Sequence, residues 1–193
     1  MRVLVACEFS GTVRDAFAAL GHDAWSCDIL ETERPGNHYR CDAREVLGLQ
    51  WDLLIAHPPC THLAVSGARW FERRRKQVAM PWGCEDPQGE AMLLVSAFMD
   101  APIARIAIEN PVSVISSKIR RPDQVIQPWQ FGHGETKATC LWLKNLPPLE
   151  PTKIETGRAN RIHMMPPSDD RWRDRSRTFT GIAAAMASQW GAL

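Results

Sequence analysis

Short apolar segments alternate with amphipathic segments along the chain, except in the polar segment 61–83 and in residues 144–177, which are Pro-rich, charged and irregular. The run Leu53–Ala56 is apolar at every position, which is typical of a parallel strand buried on both faces. Apolar residues three or four positions apart, as in Val13, Phe17 and Leu20, are typical of a helix. The pattern predicts strands at residues 2–7, 22–27, 38–41, 51–57, 103–108, 124–127 and 136–143. It predicts helices at 13–20, 43–47, 112–119 and 178–190, and another that starts at Asp86-Pro87. This order favours an α/β fold with a mostly parallel seven-stranded sheet and helices on both faces.

The first two strands and the helix between them form a predicted βαβ unit. The turn Glu8–Thr12 precedes the helix, Gly21 ends it, and Asp28 closes the second strand. Such a turn can receive a ligand at the helix N-terminus, and Asp28 is placed to accept hydrogen bonds from a ribose. Asp42 follows the third strand and could reach an adenine amino group. The alternative is an ordinary capping turn with a surface aspartate.

The apolar run Leu53–Ala56 is followed closely by Pro58-Pro59-Cys60. Prolines cannot extend a central strand, because they lack the backbone donor that the ladder needs. They also stiffen the chain, so the Cys60 thiol is held at the carboxyl end of the strand, where ligands bind in open α/β sheets. A thiol at this position can act as a nucleophile. The alternative at this point is a structural cysteine.

Glu109-Asn110-Pro111 repeats this arrangement after the fifth strand. The carboxylate is expected at the tip of the strand, where the proline stops the ladder. Because adjacent parallel strands end at the same edge of a sheet, Glu109 is expected beside Cys60 in one cleft.

Positive charge is concentrated in two stretches that also contain aromatic residues, Arg69–Lys76 and Arg171–Arg177. Such stretches suit phosphate contact and base stacking, although a solvated surface is the common alternative. The first stretch lies in the long polar segment 61–83, in which Ser66-Gly67 resembles a hinge. A segment of this length is usually functional or mobile.

The bulk properties are those of an ordinary globular chain of 193 residues with a net charge of +1. No apolar run reaches the roughly 18 residues that span a bilayer, and the N-terminus is predicted to be a strand rather than a signal peptide. The six cysteines lack CxxC pairing and are expected to be reduced thiols. We therefore expect one cytoplasmic domain over residues 1–193, with no membrane contact. His57, Cys60 and His62 are close in sequence but are not expected to form a metal site.

In their order along the chain, these motifs resemble the DNA (cytosine-5)-methyltransferases, in particular the small enzymes of phages and prophages. Phe9-Ser10-Gly11 resembles the cofactor loop, and Pro58-Pro59-Cys60 resembles the nucleophile motif. Glu109-Asn110-Pro111 resembles the Glu-Asn-Val motif, and residues 180–187 resemble the last helix of the family. The resemblance implies a Rossmann-like methyltransferase fold with S-adenosylmethionine as cofactor, bound by Phe9, Ser10, Gly11, Asp28, Asp42 and Pro58.

Two departures from the family concern the substrate. The family's Gln-x-Arg-x-Arg strand is matched only by Glu135-Thr-Lys137-Ala-Thr139, so Lys137 would supply a cation without the arginine fork. The large target-recognition region of the family is reduced to a remnant at residues 145–177. Specificity could therefore require a homodimer or an accessory partner.

The resemblance also implies a mechanism. The Cys60 thiolate would add to C6 of a cytosine that has left the base stack, and C5 would then take the methyl group. Glu109 would hydrogen-bond N3 and the exocyclic amine and favour protonation at N3 as charge builds, a role that suits a carboxyl whose pKa is raised by burial. Segment 61–83 is a candidate lid. The implied site comprises catalytic Cys60, Glu109 and Lys137, and substrate-binding Arg69, Arg73, Arg74, Arg75, Asn110 and Thr139.

The expected function is therefore methylation of cytosine C5 in duplex or single-stranded DNA. One alternative is a pyrimidine C5-modifying enzyme that acts on a nucleotide or a single-stranded nucleic acid. Another is a non-catalytic, methyltransferase-like DNA-binding protein.

Overall fold

A computed structural model represents the protein and describes residues 1–71 and 86–193. Its strands are β1 (Arg2–Ala6), β2 (Asp23–Asp28), β3 (His38–Arg40), β4 (Leu53–Ala56), β5 (Arg105–Pro111), β6 (Gln124–Ile126) and β7 (Thr139–Lys144). They form one sheet in the order β3-β2-β1-β4-β5-β7-β6. Strands β1 to β5 pair in parallel, whereas β7 is antiparallel to both β5 and β6. The predicted mostly parallel seven-stranded sheet is confirmed.

The described helices are α1 (Thr12–Ala18), α2 (Pro87–Met99), α3 (Ile115–Lys118), α4 (Arg161–Met164), α5 (Arg171–Ser176) and α6 (Thr180–Trp190). Short 3-10 helices occur at Ala43–Glu45, Cys60–His62, Val65–Trp70 and Pro128–Gln130. In the described part of the chain, no helix is long and apolar enough to cross a membrane.

Both faces of the sheet are covered, and the central strand β4 is accordingly apolar and buried at every position. Alternate residues of a strand point to opposite faces. Leu54 packs in one core with Phe98 of α2. Its neighbour Ile55 packs in the other core with Phe17 of α1 and Trp190 of α6. The sheet is thereby enclosed, and its carboxyl edge is left for a site.

Two predicted strand boundaries are wrong in ways that affect this edge. Strand β5 continues through Pro111, which pairs with Thr139 at the end of β7. A proline fits the last position of a strand because its carbonyl can still accept a hydrogen bond. Ladder pairing between β4 and β5 stops earlier, at Ala56 and Ile108, so Glu109 lies one residue beyond β4. Strand β7 begins at Thr139 rather than at residue 136, which leaves Lys137 in a loop.

Segment 61–71 is also more regular than the sequence predicts. Ser66 and Gly67 lie inside the 3-10 helix Val65–Trp70 rather than at a hinge. The Val65 amide donates to the Val112 carbonyl at 3.0 Å, which ties this helix to the chain that follows β5.

Candidate functional site

A cavity of about 90 Å³ lies where the carboxyl ends of β1, β4 and β5 meet. These three strands are neighbours in the sheet, so the loops after them converge on one point. The structure therefore brings the two predicted strand-end motifs together. The walls are formed by Cys7, Glu8, Phe9, Ser10, His57, Pro58, Pro59, Cys60, Glu109, Asn110, Pro111, Lys137, Arg175, Ser176, Arg177 and Thr178.

Cys60 begins the 3-10 helix Cys60–His62, directly after the two prolines, and its side chain is exposed. Asn110 holds the loop that leads into this helix. Its side-chain amide is buried and donates to the Pro58 carbonyl at 2.7 Å. Asn110 thus links the end of β5 to the loop that carries the thiol.

Glu109 is held by a residue that the sequence analysis considered only as a metal ligand. His57 Nδ1 lies 2.7 Å from Glu109 Oε2, and each side chain is 10% exposed. Burial alone would raise the pKa of Glu109, but the hydrogen bond and charge of His57, with the charge of Lys137, hold that pKa below its ordinary value. The expectation of a raised Glu109 pKa is therefore wrong.

The same pair raises the pKa of His57. Burial would lower it, but the hydrogen bond and charge of Glu109 and the charge of Glu8 outweigh burial and the opposing charge of Lys137. Both pKa shifts favour a charged pair, with an imidazolium beside a carboxylate. The signal in the sequence was the position of His57, immediately after a buried strand and next to Pro58-Pro59.

The thiol of Cys60 lies among opposing charges. Surrounding protein atoms raise its pKa and the charge of Glu109 raises it further, while Lys137 and Arg175 act in the opposite direction. Lys137 is oriented by its own contacts, since its Nζ donates to the Arg175 carbonyl at 3.0 Å and its backbone amide donates to Gln127 Oε1 at 2.9 Å. The resting thiol is protonated at neutral pH. The positive charges of Lys137 and Arg175 favour its thiolate form.

Phe9 and Ser10 reach the cavity, whereas Gly11 lies just behind it. Gly11 has a φ of +70°, and a Cβ there would lie 2.5 Å from Arg14 Nη2. Arg14 is 1% exposed, and its guanidinium donates to Ser26 Oγ at 3.1 Å and to the Pro35 carbonyl at 3.2 Å. The glycine of this loop therefore makes room for a buried arginine that holds the loop after β2.

The backbone amides at the amino end of α1 are bound by the carboxylate of Glu8. Glu8 Oε1 accepts from the Val13 amide at 2.7 Å, and Oε2 accepts from the Arg14 amide at 3.2 Å. The βαβ unit is present as predicted, but these two amides do not point at an open site. Neither Glu8 nor Arg14 was identified from the sequence.

Asp28 and Asp42 lie further along the same sheet edge and do not line the cavity. Burial raises the pKa of Asp28, whose Oδ1 accepts from the Leu30 amide at 3.0 Å. Asp42 caps the helix Ala43–Glu45, and Arg44 donates to both of its carboxylate oxygens. Cys7 connects the two regions, because it lines the cavity while its pKa is raised by burial and by the charges of Asp28 and Asp42.

The second basic stretch lies over the cavity. Residues 171–178, here called the roof segment, contribute four of the lining residues. The Trp172 ring lies 5.7 Å from the Phe9 ring, and Arg177 Nη2 donates to both carboxylate oxygens of Glu33 at 2.8 and 2.9 Å. The roof segment belongs to the expected recognition remnant at residues 145–177, apart from Thr178. It lies against the predicted cofactor loop and lines the cavity beside Cys60.

The other predicted substrate contacts are not gathered at the cavity. Arg69 is an exposed residue of the helix Val65–Trp70 and is not among the described lining residues. Thr139 is buried, and its hydroxyl donates to the Lys137 carbonyl at 3.1 Å. Arg73, Arg74 and Arg75 lie outside the described residues.

No protein-family model matches the chain, and no curated protein matches it in sequence. Among solved structures, the fold is similar to that of a chain described as a candidate DNA modification methyltransferase encoded within an E. coli prophage, with a TM-score of 0.50 and 15% identity. The match covers 80% of this chain and 52% of the other, so this chain spans about half the length of that protein. The chain has the Rossmann-like methyltransferase fold that the sequence predicted.

Proposed function

We propose that the chain is an S-adenosylmethionine-dependent methyltransferase that methylates C5 of cytosine in DNA through a covalent bond to Cys60. The observation that carries the proposal is the meeting of Cys60, Glu109 and Lys137 at one cavity on the carboxyl edge of a methyltransferase-like sheet. The description of the fold neighbour as a candidate DNA modification methyltransferase supports DNA as the substrate class.

Cys60 would act by addition to C6 of the cytosine. Its thiol is protonated at rest, because the surrounding protein atoms and the charge of Glu109 raise its pKa, so it must give its proton to water before it attacks. Lys137 and Arg175 then stabilise the thiolate through their charge. The addition pushes electron density to C5, which would form its bond to the methyl group as the methyl–sulfonium bond breaks. Loss of the C5 proton to water and elimination of the thiolate restore the aromatic ring and free Cys60, whose thiolate takes a proton back from water.

The chain offers a fitting set of residues for the cofactor, which would supply a methyl group on an electrophilic sulfonium. Phe9, Ser10 and Pro58 form one wall of the cavity. Asp28 is a partly buried carboxylate that has no ion pair among the described residues, which suits it to accept hydrogen bonds from ribose hydroxyls. Asp42 fits an adenine contact less well, because Arg44 occupies both of its oxygens.

A second candidate substrate is cytosine in a single strand or a nucleotide. The observation in its favour is the roof segment, which narrows the approach to Cys60. Labelled methyl transfer to duplex DNA, to single-stranded DNA and to deoxycytidine monophosphate separates these substrates.

The covalent step is tested by trapping. DNA that contains 5-fluorocytosine cannot lose a proton from C5, so it should remain attached to Cys60 after methyl transfer. Mass spectrometry should find the adduct in the unmodified protein and in a Cys41→Ala control, but not in Cys60→Ala. Methyl transfer without any trapped adduct would refute the covalent mechanism and point to the exocyclic amine instead.

A further inference from the structure

His57 and Glu109 form a buried pair that faces the proposed reaction site. They follow neighbouring strands, with Nδ1 and Oε2 2.7 Å apart and each side chain 10% exposed. The second imidazole nitrogen, Nε2, is buried and has no hydrogen-bond partner among residues 1–71 and 86–193. Buried polar atoms are rarely left without a hydrogen-bond partner. Because His57 lines the cavity, this nitrogen indicates that the imidazole has a role in the cavity.

We propose that His57 is a positioning residue that stores the proton Glu109 delivers to N3 of the cytosine. This inference rests on the proposed function, because it assigns the source of a proton in that reaction. It also resolves a difficulty in the mechanism: an ionised Glu109 can accept hydrogen bonds from the base but has no proton to donate.

The charges around His57 favour an imidazolium in the resting site. Glu109 faces it from β5, and Glu8 acts on it from the loop after β1. Lys137, from the loop before β7, is the opposing cation. Cys60 and Arg175 also line the cavity, the latter from the roof segment. Glu109, whose Oε2 lies 2.7 Å from Nδ1, is the charge in direct contact with the imidazole and favours the extra proton there.

The proton at N3 is balanced over one reaction cycle, separately from the thiol proton and the C5 proton, which pass to water. As the thiolate adds to C6, negative charge builds on the ring at N3. The proton on Nδ1 passes along the 2.7 Å hydrogen bond to the Glu109 carboxylate, and the resulting carboxylic acid protonates N3. When elimination of Cys60 restores the aromatic ring, N3 returns the proton to the pair. His57 also orients the carboxylate, because it holds Oε2 and leaves Oε1 for the base.

Two substitutions separate orientation from proton storage. His57→Asn retains a side-chain N–H near the position of Nδ1 but cannot titrate, whereas His57→Ala loses both functions. His163→Asn, at an exposed histidine of α4 outside the cavity, is the matched control. Calorimetry with S-adenosylhomocysteine verifies that each variant is folded.

We expect His57→Asn to lower kcat about 10- to 100-fold, the range seen when a hydrogen-bonded partner of a functional residue is lost. KM for DNA should change less than about threefold, because the substrate is still bound. The alkaline limb of the kcat profile should move to lower pH in His57→Asn, since Glu109 alone must then retain the proton. In the control the profile should be unchanged.

Nuclear magnetic resonance of the His57 ring nitrogens provides a readout that is independent of activity. In the unmodified protein the pKa of His57 should lie above the ordinary histidine value of about 6.5, and in Glu109→Gln it should fall. An unchanged pKa in Glu109→Gln would overturn the pairing. An active His57→Asn enzyme with an unaltered pH profile would overturn proton storage alone. Absence of methyl transfer by the unmodified protein to every substrate would overturn the proposed function and, with it, the role given to His57.

Discussion

Replacing Asn110 with leucine tests whether one buried amide holds the nucleophile loop in place. Leucine has the same branched arrangement of side-chain heavy atoms but no donor, so the substitution removes the 2.7 Å hydrogen bond to the Pro58 carbonyl. Asn110 is 1% exposed, and a buried carbonyl without a partner costs about 1–3 kcal/mol.

A second effect of the substitution opposes this loss of stability. Asn110 Oδ1 is buried and has no hydrogen-bond partner in the described part of the chain, so removing it relieves an existing cost. We therefore expect a net loss of about 1–2 kcal/mol in the free energy of unfolding. The rate of 5-fluorocytosine trapping should fall by a larger factor, about 10- to 100-fold, because small displacements of a reacting atom strongly reduce rate.

Urea denaturation measures the first effect, and the time course of adduct formation measures the second. Gln189→Ala is the matched control, since its amide exchanges hydrogen bonds of 2.8 and 2.9 Å with the backbone of Glu150 at an exposed site. The control should lose no more than about 0.5 kcal/mol and trap at the normal rate. Equal stability losses in the two variants, with equal trapping rates, would refute the reasoning.

Two further predictions concern the start of α6. Gly181→Ala should destabilise the protein by about 1–3 kcal/mol, because a Cβ would lie 1.8 Å from the Phe131 carbonyl oxygen; Gly157→Ala, where nothing lies within 4 Å, should be nearly neutral in urea denaturation. His133 Nε2 accepts from the Gly181 amide at 2.9 Å, and burial lowers the pKa of His133. The stability that neutral His133 contributes is fully present above the pKa of histidine in the unfolded chain, about 6.5, and is lost as pH falls toward the lower pKa in the folded protein. Tm should therefore drop over this pH range. The drop should be smaller in His133→Gln. An identical pH dependence in both proteins would exclude this assignment.

The layout of the site could be predicted because it depends on local rules. Apolar runs identify buried strands, and the parallel strands all end at one edge, so Cys60 and Glu109 had to be neighbours once their strands paired. The prolines after β4 mark the end of a ladder for a chemical reason that does not depend on the rest of the chain.

The partners within the site could not be predicted in the same way. The pairing of His57 with Glu109 depends on which side chains the two strand ends turn toward each other, and on a separation of 52 positions that sequence spacing does not reveal. The buried Arg14 is a similar case, because an arginine on an amphipathic helix is normally read as exposed. The contact of Trp172 with Phe9 joins residues from opposite ends of the chain, and no local pattern indicates it.

Glu33 gives the cleft a dependence on ionic strength. Its backbone amide donates to the Phe9 carbonyl at 2.8 Å, while its carboxylate binds Arg177 and lies 3.5 Å from Arg173 Nε. Salt screens these partly exposed ion pairs, so we expect added salt to weaken the hold of Glu33 on the roof segment and to open the cleft to DNA. Salt also weakens the attraction between basic residues and DNA phosphates. Opening of the cleft should raise the rate of methyl transfer, whereas weaker DNA binding should lower it. Methyl transfer to DNA should therefore be fastest at an intermediate salt concentration. In Glu33→Gln, where residue 33 no longer forms ion pairs with Arg173 and Arg177, the rate should only fall as salt is added.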